Sequence, residues 1–475
     1  MSGTTAEPLG GPDPSSTARW LERHRPDLHP AYLRELPAAR AAVLRRLTGA
    51  IAREHLQAPT GHDDPALLLR AMGHDRFAAE VDNSVANLAL AQATQPRPDG
   101  GPPALTRPTP PHWEQLVVDG HPLHPGCRTR TGMTTGDVLA YAPEHRTVVD
   151  LVQVTVPPDR WHTTGAGLPP LLHLHPWQAE RIRDTHPELR PVGTRPARPL
   201  MSLRTLAPLD DPTLHLKTAI DAQLTSAVRT VSAAAVENGP ILTAFIATLT
   251  DKLTVLREHA AGAVLTDGAP DRRLAVVHRQ APPPAAIPLA ALSAPSPADG
   301  APLAREAVRL AYRGDPRPFL SDLTRLLVTG TLDLLDLGIG LEAHGQNLLV
   351  TLDRGRPARL YYRDVGGIRI DPERLDKHGI TAPPLHGDLR ADDPDEPETT
   401  VLAALTVVLG QLVGTLADAT ATPPADLWAA AAATAGDRLT QRDTLPIKAT
   451  TTMRLAVDPP EPRWVYVPNP LLEHR

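Results

Sequence analysis

Asn347 and Asp364 are of the right types and at the right spacing to build a site for a hard metal ion. They bracket two short apolar runs, 347–352 and 359–365, separated by the turn-rich stretch Asp-Arg-Gly-Arg-Pro-Ala. This pattern predicts a β-hairpin with a loop of several residues. With the loop over 353–358, Leu352 falls opposite Arg359 and Asn347 opposite Asp364, so an amide oxygen and a carboxylate converge at the hairpin base. That donor pair suits Mg2+, which takes oxygen ligands and keeps waters and substrate phosphates. His344 and Gln346 stand just before the pair. The alternative reading is a polar turn ahead of a buried hairpin.

Cationic and imidazole side chains recur upstream. The loop 119–132 carries two His-Pro pairs, at His121 and His124, followed by Arg128 and Arg130. Proline fixes the backbone without donating hydrogen bonds, so the loop is expected to present these side chains to a polyanion, either phosphate or a multi-carboxylate acid. A structural loop is one alternative. A zinc site from His121, His124, His173 and His175 is another, though it lacks helical histidine spacing or cysteine partners. Ser202, Arg204 and Thr205 are predicted on a strand, with Ser202 and Arg204 on one face. Lys217 falls in a second predicted strand, 213–218. Thr225 and Arg229, four apart, are predicted on one face of a helix that begins near Asp221 or Thr225 and stops at Asn238-Gly239-Pro240. An arginine near a helix start favours an anion there; the alternative is a surface arginine on an amphipathic helix. Lys448 lies in the tail segment 446–455.

The elements that must position these residues follow from pattern and punctuation. Predicted helices cover 18–25, 37–55, 65–77 and 77–94, after a Gly/Pro/Ser/Thr-rich tail, 1–16, expected to be disordered. A linker is expected at 95–110, then strands at 115–118, 138–141 and 147–156. Further helices are expected at 178–185, 241–255, 303–312, 318–337, 400–417 and 425–439, with a strand at 274–278. A Pro/Ala-rich loop is expected at 280–302. The 475 residues are 41% hydrophobic but only 3% aromatic, so the cores must be built of Ala, Leu and Val. Net charge is −6, and no basic, aromatic-laced patch of the nucleic-acid type occurs. The single cysteine, Cys127, excludes disulfides and Cys-based zinc sites within the chain. The N-terminus lacks a signal-peptide pattern and 401–417 reads as a buried helix, so a cytoplasmic protein without a membrane partner is expected. Only Lys217, Lys252, Lys377 and Lys448 are lysines among 48 basic residues. Lysines surviving in such an Arg-rich chain mark places for a compact ammonium, although Lys252 and Lys377 read as ordinary surface residues.

Taken together, the motifs resemble the IucA/IucC family, the NRPS-independent siderophore synthetases. The matches run in the family's order: Gly-His-Pro-Leu-His-Pro with Arg130 and Gly132, Tyr-Ala-Pro-Glu at 141–144, His-Pro-Trp-Gln at 175–178 and Ser-Leu-Arg-Thr at 202–205. They continue with Lys217, Thr-Ser-Ala-Val-Arg at 225–229, Asn-Gly-Pro at 238–240, Glu-Ala-His-Gly-Gln-Asn at 342–347, Arg-Asp-Val-Gly-Gly at 363–367, and Lys448 with Arg454-Leu455. The ordered set spans about 115 to 470.

The resemblance implies an α+β cupped hand. A helical thumb with its linker would occupy 17–111, mixed α/β fingers 112–300, and a distantly kinase-like palm 301–475. It implies activation of a carboxylate of citrate or a related acid by ATP and Mg2+, capture of the acyl-adenylate by an amine or hydroxyl, and a homodimer. By the same resemblance His124, Arg130, Thr225, Arg229 and Lys448 would meet the acid. Ser202, Arg204, Thr205, Lys217, His344 and Gln346 would meet ATP, and Asn347 and Asp364 the metal. Arg128 stands where the family usually has lysine, and the chain is shorter than usual. The rival readings are a small-molecule kinase, whose catalytic-loop aspartate position is here Glu342, and a non-catalytic binding protein of the same fold.

Overall fold

A computed structural model of the protein describes residues 11–108, 112–225, 227–456 and 463–473. Of the expected disordered tail, 1–10 lie outside the described residues; its end instead opens a helix, because Asp13 caps Pro14–His24. Residues 109–111 of the region around the linker, and Ser226, also lie outside.

The N-terminal block holds α1 (Pro14–His24), α2 (His29–Arg53), α3 (Pro65–Ala71) and α4 (Asp75–Ala93). Apolar residues at helical spacing, among them Val43, Leu47, Val81, Val85 and Leu88, meet in one core. That core runs on into Cys127, Met133, Trp177, Leu203 and Ile220, so the helices pack directly on the histidine-bearing loop and its supports.

The middle of the chain forms an antiparallel eight-stranded sheet in the order Trp161–Gly165, Glu258–Thr266, Ala269–Gln280, Leu214–Thr218, Thr205–Pro208, Arg190–Pro199, Val149–Thr155, Leu171–Leu174. The last strand curls back against Ala269–Gln280. Leu214–Thr218 is buried along its whole length, which places Lys217 deep in the molecule.

Several local expectations are corrected here. Residues 115–118 end a 3-10 turn, Trp113–Leu116, rather than form a strand. Residues 138–141 lie in a helix, Thr135–Tyr141, because Thr134 and Asp137 close a capping box that outweighs strand propensity. Ser202 and Arg204 sit in a turn, with Leu203 at φ +65°, ahead of the strand Thr205–Pro208. Thr225 and Arg229 are not helical. Ile220–Leu224 and Ala227–Arg229 form a hairpin with Thr225 left-handed at φ +62°, and the helix starts only at Ala233, where Ser232 caps it. Asn238-Gly239-Pro240 therefore lies inside Ala233–Leu249 instead of ending a helix. The Pro/Ala-rich 280–302 region and the linker's Ala104–Thr106 turn are not loose. Ile287, Leu289 and Leu292 are buried in the C-terminal core, and Leu105 N–H donates to Glu306 at 2.6 Å.

The C-terminal lobe packs Pro316–Asp336, Glu396–Thr420 and Pro424–Ala435 around the hairpin Leu348–Asp353 and Arg356–Tyr362. Glu396–Thr420 is, among the described residues, the one helix long and apolar enough to cross a bilayer, and half of that apolar window is buried in the fold. The hairpin turn is shorter than expected. Arg354 and Gly355, at φ +49° and +91°, make a two-residue turn, and Leu348 pairs with Tyr362. Arg363 N–H donates to Asn347 O at 3.1 Å, so Arg363, not Asp364, stands opposite Asn347. The architecture is α+β.

Candidate active site

A cleft opens where the sheet, the hairpin base and the N-terminal block meet. At its centre Lys217 Nζ contacts Asp364 Oδ1 at 2.8 Å, joining the middle of the sheet to the hairpin. Asp364 is left-handed at φ +71°, which swings its carboxylate away from the ladder toward Lys217. Burial would raise that carboxyl; Lys217, Arg204 and Arg279 reverse the effect and hold it far below the ordinary range. Glu258 stands in the same group. Burial lifts its carboxyl above the usual value against the pull of Lys217, and the charge on Asp364 adds to the lift. Gly239 makes room for it, since a Cβ there would collide with Glu258 Oε2. Sequence reading missed Glu258 and Arg279: nothing in a strand pattern marks a charge whose partners arrive from distant segments.

Around this pair the Ser202–Thr205 turn is locked. Ser202 Oγ donates to Thr205 Oγ1 at 2.8 Å, and Thr218 N–H and Oγ1 both donate to Arg204 O, at 2.9 and 3.0 Å. Arg204 Nη1 donates to Thr230 O at 2.5 Å, and burial brings the guanidinium down to about 10. Arg229 faces Asp364 and Glu342 across the cleft; burial lowers it, and those two carboxylates oppose that shift. Among the described residues its guanidinium makes neither a hydrogen bond nor an ion pair. Thr225 N–H donates to Thr129 O at 2.9 Å, tying the Thr225 turn to the histidine loop.

The two cleft imidazoles are neutral donors. His124 Nδ1 accepts from Gly126 N–H at 2.8 Å, which puts its proton on Nε2, and that nitrogen is buried without a partner. Burial, then His121, Arg454, Arg229 and Arg46, push His124 down to about 3. His344 Nδ1 likewise accepts from Gln346 N–H at 3.3 Å, and its pKa is lowered, first by burial. Lys448 is exposed at the end of Thr444–Lys448 and stands within electrostatic reach of His121. The segment after it is fastened to the N-terminal block: Thr452 N–H donates to Glu54 at 2.6 Å, and Arg454 pairs with Glu80.

Arg128 and Arg130 are drawn inside the fold toward a carboxylate instead of standing exposed on the loop, although Arg130 Nη1 has no hydrogen-bond partner among the described residues. Both are buried, and Glu144 takes Arg130 at 2.6 Å and lies 3.6 Å from Arg128. Burial would raise Glu144; the two arginines bring it to about 2. Arg363 and Glu114 form a similar buried pair at 2.6 Å, and Arg363 also donates to Gln346 O at 2.9 Å. Gln346 thus contributes its carbonyl to structure. His175 caps the helix Pro176–Ile182 through Trp177 N–H, and Gln178 Oε1 accepts from Asp221 N–H at 2.9 Å, so the His-Pro-Trp-Gln motif braces the Ile220–Leu224 strand.

Asn347 Nδ2 donates to Glu342 O at 3.3 Å, leaving its Oδ1 free as a donor to a metal. The Glu342 carboxylate lies over Gly367, where any Cβ would strike it. Asp364 and Glu342 act on the same neighbours, Arg229 and His344, and with Asn347 Oδ1 they are the hard oxygens near the hairpin base that would suit Mg2+ completing its shell with water and phosphate. Among the described residues no trio of His, Cys, Asp and Glu gathers as a protein-only metal cluster, which leaves the zinc alternative without a site.

Comparison with known proteins places this geometry. The family described as IucA / IucC matches residues 110–168 and 170–294, and one described as ferric iron reductase FhuF-like transporter matches 317–472. Staphyloferrin A synthase of Staphylococcus aureus is 28% identical over 312 residues, 55% of this chain and 53% of its own length. The chain thus spans about half of that relative. D-ornithine–citrate ligase of the same species is 24% identical over 391 residues, covering 65% and 58%. Among solved structures, the petrobactin biosynthesis protein AsbB of Bacillus anthracis superposes with a TM-score of 0.77 at 18% identity, covering 94% of this chain and 98% of that one. ATP-bound aerobactin synthetase IucA of Klebsiella pneumoniae superposes with a TM-score of 0.70 at 19% identity, covering 90% and 86%. These superpositions establish the fold.

Proposed function

The chain belongs to the IucA/IucC family, and from that premise we propose that it is an ATP-dependent carboxylate–amine ligase of siderophore or related metabolite biosynthesis. It adenylates a carboxylate of citrate or a related polycarboxylic acid and passes the acyl group to an amine or hydroxyl. One observation carries this reading: the Lys217–Asp364 contact at 2.8 Å lies beside Arg229, whose guanidinium makes no ion pair among the described residues, and His124, whose Nε2 has no hydrogen-bond partner among them. The named relatives, one of them a citrate ligase, support it. Within the proposal, the thumb, fingers and palm divide at 17–111, 112–300 and 301–475.

Lys217, Arg204 and the Ser202–Thr205 turn hold the ATP phosphates, with the His344 Nε2–H as a further donor. Asp364 and Asn347, with Glu342 beside them, would hold Mg2+, which neutralises phosphate charge when bound. Arg229, Thr225, the His124 Nε2–H and Lys448 orient the acid; Arg130, committed to Glu144, supports the loop instead of touching the acid. A carboxylate oxygen of the acid attacks the α-phosphorus, the bond to the bridging oxygen breaks, and pyrophosphate leaves. The amine then attacks the acyl carbon, AMP leaves, and the amine proton goes to solvent or a cleft base. Positioning and fixed donors do most of the work, because the developing charge spreads over phosphoryl oxygens. Acid-dependent release of pyrophosphate across a panel of polycarboxylates tests the reading. ADP as the nucleotide product would contradict it and favour a kinase.

A further inference from the structure

The helix α4 turns a buried polar stripe toward the histidine loop. Glu80, Asn83, Ser84 and Asn87 recur at helical spacing, and all are buried. Thr129 Oγ1 donates to Glu80 O at 2.7 Å, Arg130 N–H to Asn83 Oδ1 at 2.8 Å and Arg128 N–H to Ser84 Oγ at 3.0 Å, while Asn87 Nδ2 donates to Arg128 O at 2.9 Å. The Glu80 carboxylate takes no part in this. It turns to the far end of the chain, where Arg454 pairs with it through Nε, at 3.1 Å, and through Nη2. Glu54, the residue that closes α2, does the same. The short helix Thr450–Leu455 begins after Ala449, which has no side-chain acceptor for the free N–H groups of a first turn. Glu54 supplies the acceptors from outside: its carboxylate accepts from Thr451 N–H at 3.2 Å and from Thr452 N–H at 2.6 Å. Negative charge at a helix start is also favourable to the helix dipole.

The segment fastened in this way is the one that carries Lys448. Lys448 ends the strand Thr444–Lys448 and is exposed, and among the described residues its ammonium makes neither a hydrogen bond nor an ion pair. The helix held by Glu54 starts two residues later. The segment adjoins the histidine loop. Burial is the first cause that lowers His121 and His124; the charge of Lys448 adds to it at His121, and those of Arg454 and Arg229 add to it at His124. Thr129, held by Glu80 O, accepts in turn from Thr225 N–H at 2.9 Å. Glu80 therefore supports both Thr225 and the Lys448 segment, which come from distant parts of the chain. Groups that grip one ligand from separate segments work only when their spacing is held.

We propose that Glu54 and Glu80 are positioning residues for the acid, fastening the segment 448–455 to the helical block so that the Lys448 ammonium is held beside the histidine loop. The proposal rests on the reading that places Lys448 at the acid. In the full-length protein Glu54→Ala should raise the acid's KM about tenfold and leave the ATP KM unchanged, as Lys448→Ala should. The variant carrying both changes should be no worse than Lys448→Ala alone, because residues that act through one contact are not additive. Glu54→Gln keeps an acceptor oxygen and should restore most of the acid's KM, while Glu80→Gln should give a smaller rise of the same kind. Amide hydrogen exchange in 446–455 should be faster in Glu54→Ala and unchanged in the eight-stranded sheet, which separates a released segment from a variant that fails to fold. Unchanged exchange in 446–455, faster exchange with an unchanged acid KM, an equal rise for ATP, or rises that multiply in the double variant would each overturn the proposal. The reading beneath it fails in a different place: in the wild type, if no acid releases pyrophosphate, or in Lys448→Ala, if the acid's KM stays the same. Either of those results takes the proposal with it.

Discussion

Two sets of arginines look alike as sequence, yet they differ in whether their charge is answered. Arg128, Arg130 and Arg363 are buried, and Glu144 and Glu114 answer them at 2.6–3.6 Å. Arg229, Arg46 and Arg53 make no ion pair among the described residues. Burying a charge is tolerable only when it is paired. The first set is therefore scaffold, holding the histidine loop and the hairpin base in place. The second set is half-buried and so reaches solvent; on the proposed reading its Arg229 is left for an anion that arrives from outside. A motif names both sets equally; only the location of the counter-charge separates them.

The comparison can be broken most severely at the one place where a paired charge is also proposed to act. Asp364→Asn keeps size and removes the charge that Lys217, Arg204 and Arg279 hold in place. Turnover should fall on the order of 10²–10³-fold, and the melting temperature should drop as well, because the buried Lys217 ammonium loses its partner. Substantial residual kcat at ordinary Mg2+ would remove Asp364 from the site.

Glu144→Gln attacks the answered set. It strands two buried guanidiniums and should cost about 3–5 kcal/mol of stability, read as a lower urea midpoint. A variant of wild-type stability with a raised acid KM would mean that Arg130 serves the ligand after all. Arg229→Lys attacks the unanswered set. It keeps the charge but loses the planar fork that suits a carboxylate. The acid's KM should rise about tenfold, the ATP KM much less, and the melting temperature hardly at all. An equal rise for ATP would place Arg229 with the nucleotide.

Two of the His-Pro pairs, at His124 and His175, sharpen the contrast with the smallest effect. His175 faces no charged group, and burial alone pushes it down to about 3 from an ordinary 6.5. Between those values the unfolded chain binds the extra proton, so stability rises with pH there and is lost as pH falls from 6.5 toward 3. His175→Gln should flatten that part of the stability curve, measured by urea unfolding across pH. An unchanged slope would mean the imidazole is not held neutral.

The sequence marked elements with strong punctuation. Prolines at the starts of α3 and Pro316–Asp336, and the glycine-bearing hairpin, are local signals that tertiary packing left in place. It misread the hairpin register because Pro357 pairs inside the strand, opposite Leu352 at a bulge, so the turn shrinks to Arg354-Gly355. It misread Thr225–Arg229 because a helical spacing of four also occurs in a hairpin whose first strand is braced by Gln178. The sequence reading assigned nothing to Arg46 and Arg53 beyond a helix over 37–55. Arg46 meets Asp119 O, which lies far from it in sequence, only in the fold.

The central claim is that the unanswered cations hold a carboxylate against the α-phosphate of ATP. It is tested most directly by following the oxygen that would form the new bond. The acid that supports turnover, citrate first because several cations at the site suit a polycarboxylate, is labelled with oxygen-18 in its carboxylates. The label is then sought in the products. Attack on the α-phosphate leaves one labelled oxygen in AMP once the amine has taken the acyl group, with pyrophosphate unlabelled. Label in inorganic phosphate, with ADP as the nucleotide product, would mean an acyl phosphate and would contradict the account.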